Sequence, residues 1–79
     1  MTVSFTEKQG RYLAFIYAYT KLHRRPPAEA DMQAYFRVTP PTVHRMVVEL
    51  AKRGLICRRP GQPRSIKLLI APEQIPVLR

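Results

Sequence analysis

Five residues between positions 41 and 48 have side chains suited to reading the edge of a base pair. Arg45 carries a planar guanidinium that can donate twice to guanine O6 and N7. Thr42 and His44 add a hydroxyl and an imidazole, and Pro41 and Val48 offer apolar contact for a thymine methyl. In a helix most of this set lies opposite the apolar stripe. The pattern therefore predicts direct base readout in duplex DNA.

A second set of residues is suited to phosphate contacts. Its members are Thr39, at a helix start, and the basic residues Lys52, Arg58, Arg59 and Arg64. Helix N-terminal N–H groups and cationic side chains hold phosphate without distinguishing bases. Lys52 has an alternative role, because a positive charge in a last helical turn also suits the helix dipole.

The net charge supports a polyanionic partner. Fourteen Lys and Arg residues against five Asp and Glu give +9 over 79 residues, and eight of the basic residues lie between Arg37 and Lys67 with one acid, Glu49. Such clustering is typical of nucleic-acid binding, although charge can also serve only to keep a small domain in solution. A chain this short forms one domain, since it buries only about 60% of its unfolded surface.

Several classes of function are not expected. Cys57 is the single cysteine, and His23 and His44 have no third ligand candidate beside them, so we expect no disulfide within the chain, no metal site and no cofactor. There is no nucleophile and base arrangement, so we expect no enzyme, and nothing in the sequence implies a small-molecule ligand. No segment resembles a signal peptide or a membrane span, which predicts a protein of the reducing cytoplasm without membrane contact.

The third predicted helix carries the base-reading face and has both ends marked. Thr39 is a candidate N-cap, Pro40 suits the first helical position, and Gly54 can adopt the left-handed conformation that follows a helix. We therefore predict a helix over residues 39–53. Its apolar stripe consists of Val43, Met46, Val47 and Leu50.

Two further helices precede it. Thr6 and Gln9 match a capping box and predict a first helix over residues 7–22, in which Phe15 and Tyr19 extend beyond a single buried stripe. The tyrosines could simply border the core, or this surplus could contact a partner such as a second copy. Pro26 and Pro27 end this helix, and a short, poorly capped second helix follows over residues 28–36. With only residues 37–38 between them, the second and third helices form a helix-turn-helix.

After Gly54 the pattern becomes strand-like. Residues 55–59 and 65–70 predict two strands, and residues 60–64 supply the Pro and Gly of a turn. The predicted fold is mainly α with a small β-hairpin (α+β): a winged helix-turn-helix of three helices and a two-stranded wing over residues 1–70. Arginines on such a hairpin could also serve only solubility. Residues 71–79 form an irregular tail whose Ile75, Val77 and Leu78 have no evident partner.

The order of these motifs resembles the winged-helix DNA-binding domain of LexA-type bacterial repressors. The resemblance covers roughly residues 5–70. It rests on Phe5-Thr6 with Gln9, Ile16, Pro26-Pro27, Thr39-Pro40, the run from Leu50 to Ile56, and Gly61 with Arg64 through Leu69. It implies sequence-specific binding of double-stranded DNA, with the third helix in the major groove and the wing, residues 58–64, on the backbone.

This sequence also departs from the family pattern. Ala28 stands where the family usually has Thr, the usual Gly near Phe36-Arg37 is missing, and Pro41-Thr42 and His44-Arg45 replace the usual Asn and Glu. The family's operator is therefore not carried over. The chain stops after the wing, so we do not assign the self-cleavage and dimerisation that the family's C-terminal domain provides.

Two other functions remain open from sequence. A winged helix can act as a protein–protein adaptor, for which the tyrosine-rich first helix is the supporting feature. Binding of RNA or single strands would place aromatic residues among the basic ones, but none occurs after Phe36. We expect a small bacterial or phage transcription regulator, and a homodimer through Phe15, Tyr19, Ile75, Val77 and Leu78.

Overall fold

The computed structural model describes residues 4–77 and contains three helices followed by a two-stranded hairpin. The helices are α1 (Glu7–His23), α2 (Glu29–Phe36) and α3 (Pro40–Lys52); the strands are β1 (Ile56–Cys57) and β2 (Lys67–Leu68), with a 3₁₀ turn at Pro72–Gln74. The strands pair antiparallel, Ile56 opposite Leu68 and Cys57 opposite Lys67. The predicted mainly helical winged-helix fold is confirmed.

The start of α1 is a reciprocal capping box, as predicted. The Thr6 backbone N–H donates to Gln9 Oε1 at 2.9 Å, and the Gln9 N–H donates to Thr6 Oγ1 at 3.1 Å. The helix ends at His23, one residue beyond the expected Leu22, with Arg24 in the left-handed conformation at φ 58°. The capping box thus gives partners to two backbone N–H groups at the start of α1, those of Thr6 and Gln9, which would otherwise have none.

The helix-turn-helix is built from α2 and α3. Ala28 has no side-chain acceptor, but its N–H donates to Asp31 Oδ2 at 2.8 Å, which partly compensates at the start of α2. Arg37 ends α2 with φ 55°, the conformation that a glycine at this position would adopt without steric cost. The predicted ends of α3 are confirmed, since Thr39 is the N-cap residue, Pro40 is the first helical residue, and Gly54 has φ 74°.

The core lies between α1, the apolar side of α3 and the base of the hairpin. Its buried hydrophobic residues are Tyr12, Leu13, Phe15, Ile16, Met32, Val43, Val47, Leu50, Leu55, Ile56 and Ile66. Of the predicted α3 stripe, Val43, Val47 and Leu50 are fully buried, whereas Met46 is only partly buried. Burial of this stripe fixes which face of α3 remains outside.

The prediction that Phe15 is a surplus surface residue is wrong. Its side chain is only 8% exposed, and its ring centroid lies 4.6 Å from Tyr35 and 5.7 Å from Phe36. Tyr12 stacks on Phe36 at 4.1 Å. The aromatic C-terminal end of α2 packs across α1, so α1 buries a wider face than one stripe. Phe15 is therefore not available to a second copy.

Tyr12 has a polar atom without a partner. Its side chain is 2% exposed, and among the described residues its hydroxyl makes no hydrogen bond. Burial raises the pKa of Tyr12, and the nearby Arg11 lowers it by a smaller amount. The hydroxyl has lost water without gaining a hydrogen bond, which costs stability.

The hairpin is confirmed but its paired part is shorter than predicted. Beyond the two paired positions, the Leu69 N–H donates to Leu55 O at 2.9 Å. Ile66 is buried, Leu68 and Ile70 are partly buried, and Lys67 and Leu69 are exposed, which matches the predicted alternation. The nine residues 58–66 form the loop of the wing.

The tail packs against α1. A Cβ at Gly10 would lie 3.0 Å from Pro76 Cγ and 2.9 Å from Phe5 Cε1, so only glycine fits where these two side chains meet the helix. Ile75 is partly buried and Val77 is 80% exposed, whereas Leu78 lies outside the described residues. None of the helices described is both long and apolar enough to cross a membrane.

Candidate nucleic-acid interface

The outward face of α3 presents the predicted base-reading residues. Pro41, His44 and Arg45 are exposed, and Thr42 and Val48 are partly exposed. They share this face because Val43, Val47 and Leu50 hold the opposite side of the helix in the core. The structure thus presents one helix with donors, an acceptor and apolar groups facing outward.

The Arg45 guanidinium has no partner among residues 4–77. Glu49, the acid one turn further along α3, instead accepts from Arg53 Nε at 3.2 Å. Arg45 therefore keeps all its donors available, including the planar pair that matches guanine O6 and N7.

Thr42 is partly engaged within the helix start. Its Oγ1 lies 2.8 Å from Thr39 Oγ1, and the Thr39 side chain forms no cap to the α3 backbone. Only one of the two hydroxyls can donate in this contact, so the other keeps its hydrogen for a ligand. Pro40 and Pro41 carry no N–H, and the Thr42 N–H donates to Thr39 O at 3.1 Å, so the first turn of α3 offers few backbone donors to a phosphate.

His44 connects α3 to α2. Its Nδ1 lies 3.4 Å from Glu29 Oε2, while the imidazole side chain stays 58% exposed. Glu29 also lines the groove between the start of α2 and the wing, together with Arg58 and Arg59. This carboxylate thus contacts His44 of the α3 face and also lies beside two arginines of the wing.

Lys8 is a functional candidate that sequence reasoning missed. It lines a surface groove with Thr42, Arg45 and Glu49, which brings a cation of α1 beside α3. A lysine in the first turn of a helix opposes the helix dipole, and that unfavourable placement was the available signal.

The wing loop is held in shape by short polar contacts. The Gln62 N–H donates to Arg59 O at 3.0 Å across Pro60 and Gly61, whose φ is 78°, as in a type II turn. Ser65 Oγ accepts from the Arg59 N–H at 2.9 Å and lies 2.9 Å from Gln62 O. These contacts leave the side chain of Arg59 exposed and that of Arg58 partly exposed.

The phosphate candidates do not all have the same surroundings. Lys52 and Arg59 are exposed and Arg58 is partly so, and none of them forms an ion pair within residues 4–77. Arg64 differs, because its Nη1 donates to Tyr19 Oη and to Pro26 O, both at 3.1 Å, and lies 3.2 Å from Asp31 Oδ2. Lys67, which sequence reasoning did not select, lies exposed on β2 opposite Cys57.

The acidic, histidine and cysteine side chains of residues 4–77 are scattered over the structure. No group of three or more His, Cys, Asp or Glu side chains there is placed to hold an ion. The surface described above is instead suited to hydrogen bonding with bases and to neutralising phosphates.

Comparison with known proteins identifies a family. The protein-family model for the LexA DNA binding domain matches residues 2–65 of this sequence. The LexA repressor of Thermosipho melanesiensis is 39% identical over 70 residues, covering 89% of this chain and 35% of the relative. The LexA repressor of Thermosipho africanus is 35% identical, covering 91% of this chain and 36% of the relative. The LexA repressor of Exiguobacterium sibiricum is 37% identical, covering 82% of this chain and 32% of the relative. The chain spans about one third of the length of these relatives.

Proposed function

Because the chain belongs to the LexA DNA-binding domain family, a family of sequence-specific DNA-binding domains, we propose that it regulates transcription by placing α3 in the major groove of double-stranded DNA. The wing then contacts the sugar–phosphate backbone. The observation that carries this proposal is the exposed Arg45, which has no partner among residues 4–77. The same helix face carries His44, whose partner Glu29 lines a groove with Arg58 and Arg59.

The proposal divides the surface into two kinds of contact. Arg45, with Thr42 and His44, supplies hydrogen bonds to base edges, and Pro41 and Val48 supply apolar contact. The phosphate contacts come from the α3 start at Thr39 and from Lys52, Arg58 and Arg59. Arg64 is left out of this second set, because its contacts with Tyr19, Pro26 and Asp31 through Nη1 hold the guanidinium against α1 and α2. Lys8 and Lys67 join it as further cations of the same surface.

The test of this function is selection from a random duplex pool followed by quantitative binding. Wild-type protein should enrich a defined sequence, and Arg45→Ala should lose that enrichment at one position while still retaining nonspecific affinity. Recovery of no sequence preference, with binding that does not depend on salt, would overturn the proposal.

We also propose that two copies bind together. A single winged helix buries only roughly 600–1,000 Å² on DNA, and selective recognition commonly uses two half-sites about one helical turn apart. The apolar groove formed by Ala18, Leu22, Ile75 and Val77 supports this proposal, since Leu22 and Val77 are 78% and 80% exposed. This groove replaces the pairing first expected through Phe15, which is buried, and Tyr19, which contacts Arg64. Leu78 lies outside the described residues, and its dimer contact stays a proposal.

A transcription regulator must be in the same compartment as the DNA that it binds. We therefore propose that the protein works in the bacterial cytoplasm, on the chromosome or on phage DNA.

A further inference from the structure

Arg64 connects three separate parts of the chain through one guanidinium. Its Nη1 reaches the hydroxyl of Tyr19 near the end of α1, the carbonyl of Pro26 before α2, and the carboxylate of Asp31 within α2. The guanidinium carbon also lies 5.9 Å from the centroid of the Tyr19 ring. We call these four residues the Arg64 clamp.

The backbone of Arg64 indicates that the clamp fixes a conformation that is otherwise unfavourable. Its φ is 57°, in the left-handed region that residues other than glycine rarely occupy. Among the described residues, the other non-glycine examples are Arg24 and Arg37, which end α1 and α2. Arg64 is not at a helix end, so its conformation persists because surrounding contacts hold it.

The position of the clamp matters because little else holds the wing. The strands pair at only two positions, and Ile66 is the one residue of loop 58–66 that is buried. Arg58 and Arg59 precede Arg64 in this loop, and Ser65 closes the loop onto Arg59 immediately after it. A guanidinium that ties Arg64 to α1 and α2 therefore also sets where Arg58 and Arg59 stand relative to α3.

We infer that Arg64 is a positioning residue for DNA binding: it orders the wing against the helix-turn-helix so that Arg58 and Arg59 meet the backbone while α3 occupies the groove. It contacts no phosphate itself. This inference rests on the proposed function. Without the Arg64 clamp, the wing would spend part of its time away from the position that fits DNA. The apparent affinity for DNA then falls in proportion to the population that has the wing in place.

Asp31 and Tyr19, the two partners that bind Arg64 through their side chains, provide a test in which charge and clamp have opposite effects. Asp31→Asn removes a negative charge from a DNA-binding protein, which on electrostatic grounds alone would strengthen binding, and it keeps a side-chain oxygen that can accept from the Ala28 N–H at the start of α2. Loss of the Arg64 clamp would instead weaken DNA binding. Tyr19→Phe removes only the hydroxyl acceptor and leaves the charge unchanged. Glu73→Gln is the matched control, since it removes one exposed carboxylate that is outside the clamp.

The experiment measures affinity for the selected duplex at several salt concentrations. We expect Asp31→Asn and Tyr19→Phe each to weaken binding by about three- to tenfold, with the double variant no weaker than the worse single one. The salt slope should stay at the wild-type value. Arg64→Asn, which keeps a residue tolerant of the left-handed conformation, should behave in the same way. Arg59→Gln, in contrast, should make the slope shallower by about one.

Hydrogen exchange of the free protein gives a readout that needs no DNA. The hydrogen-bonded wing amides of Arg59 and Gln62 should exchange faster in Tyr19→Phe and Asp31→Asn than in Glu73→Gln. The inference is overturned if Asp31→Asn binds more tightly, as Glu73→Gln does, or if Arg64→Asn flattens the salt slope as Arg59→Gln does. Failure of the wild type to bind any duplex would refute the proposed function, and the exchange of the wing amides would still decide whether the clamp orders the wing.

Discussion

Glu29 at the start of α2 holds His44 on α3, with 3.4 Å between Oε2 and Nδ1. The Nδ1 contact leaves Nε2, the other ring nitrogen, available to a ligand. A ring nitrogen at this place suits hydrogen bonding to a base edge. The same carboxylate lies in the groove lined by Arg58 and Arg59, where it would repel a phosphate.

This relationship predicts the effect of removing the Glu29 charge. Glu29→Gln should strengthen binding to selected and random duplexes alike by about two- to threefold at low salt, because one repulsive charge leaves the interface. Titrations at low and high salt would measure the effect, with Glu73→Gln as the control for total charge. An unchanged affinity at low salt would place Glu29 outside the DNA interface.

Arg45 and the wing arginines should have different effects on specificity. Arg45→Ala should cost about 1–3 kcal/mol on the preferred duplex and relax selection at one base pair, since a bidentate contact is lost. Arg58→Ala or Arg59→Ala should weaken preferred and random duplexes about equally. Competition binding against a set of single-base variants measures both effects. The opposite result, with sequence preference altered only by the wing variants, would reverse these assignments.

The affinity of the wild type should depend steeply on salt. Four or five phosphate contacts give a slope of log K against log salt of about −4, at roughly −0.9 for each contact. Anisotropy titrations at several salt concentrations would measure this slope. A flat response is incompatible with phosphate contacts by Lys52, Arg58 and Arg59.

Tyr12→Phe should stabilise the protein. It removes a buried hydroxyl without a partner, and the expected gain is about 1 kcal/mol in the free energy of unfolding at neutral pH. The gain should grow above pH ~10, because burial raises the pKa of Tyr12 and the unfolded chain releases this proton first, so wild-type stability falls as pH rises. Urea unfolding at neutral and alkaline pH would measure both effects. Tyr17→Phe, at a partly exposed tyrosine, is the matched control.

The proposed dimer should depend on the tail. Sedimentation equilibrium should show self-association that weakens when the chain is cut after Ile70, since Ile75 and Val77 are then lost from the groove on α1. The less disruptive variant Val77→Ser should weaken it too. A monomer at high micromolar concentration that binds DNA one copy per site would contradict the dimer.

The sequence by itself determined the local features of this protein. The capping box of Thr6 and Gln9, the ends of α3 at Pro40 and Gly54, and the buried stripe of α3 depend on residues within a few positions of one another. Caps and helical periodicity act over that range, so they can be recognised without knowing how the helices pack. The alternation of the wing strands was predictable for the same reason.

Only the tertiary structure decided which side chains were available to a partner. Phe15 is buried because α2 lays Tyr35 and Phe36 over it, and Arg64 is occupied because Tyr19, 45 positions earlier, comes within 3.1 Å. Glu29 beside His44 and Lys8 beside Arg45 arise in the same way. These contacts depend on the angles at which whole helices cross, and the crossing is set by the packing of the entire core rather than by the residues nearby in sequence.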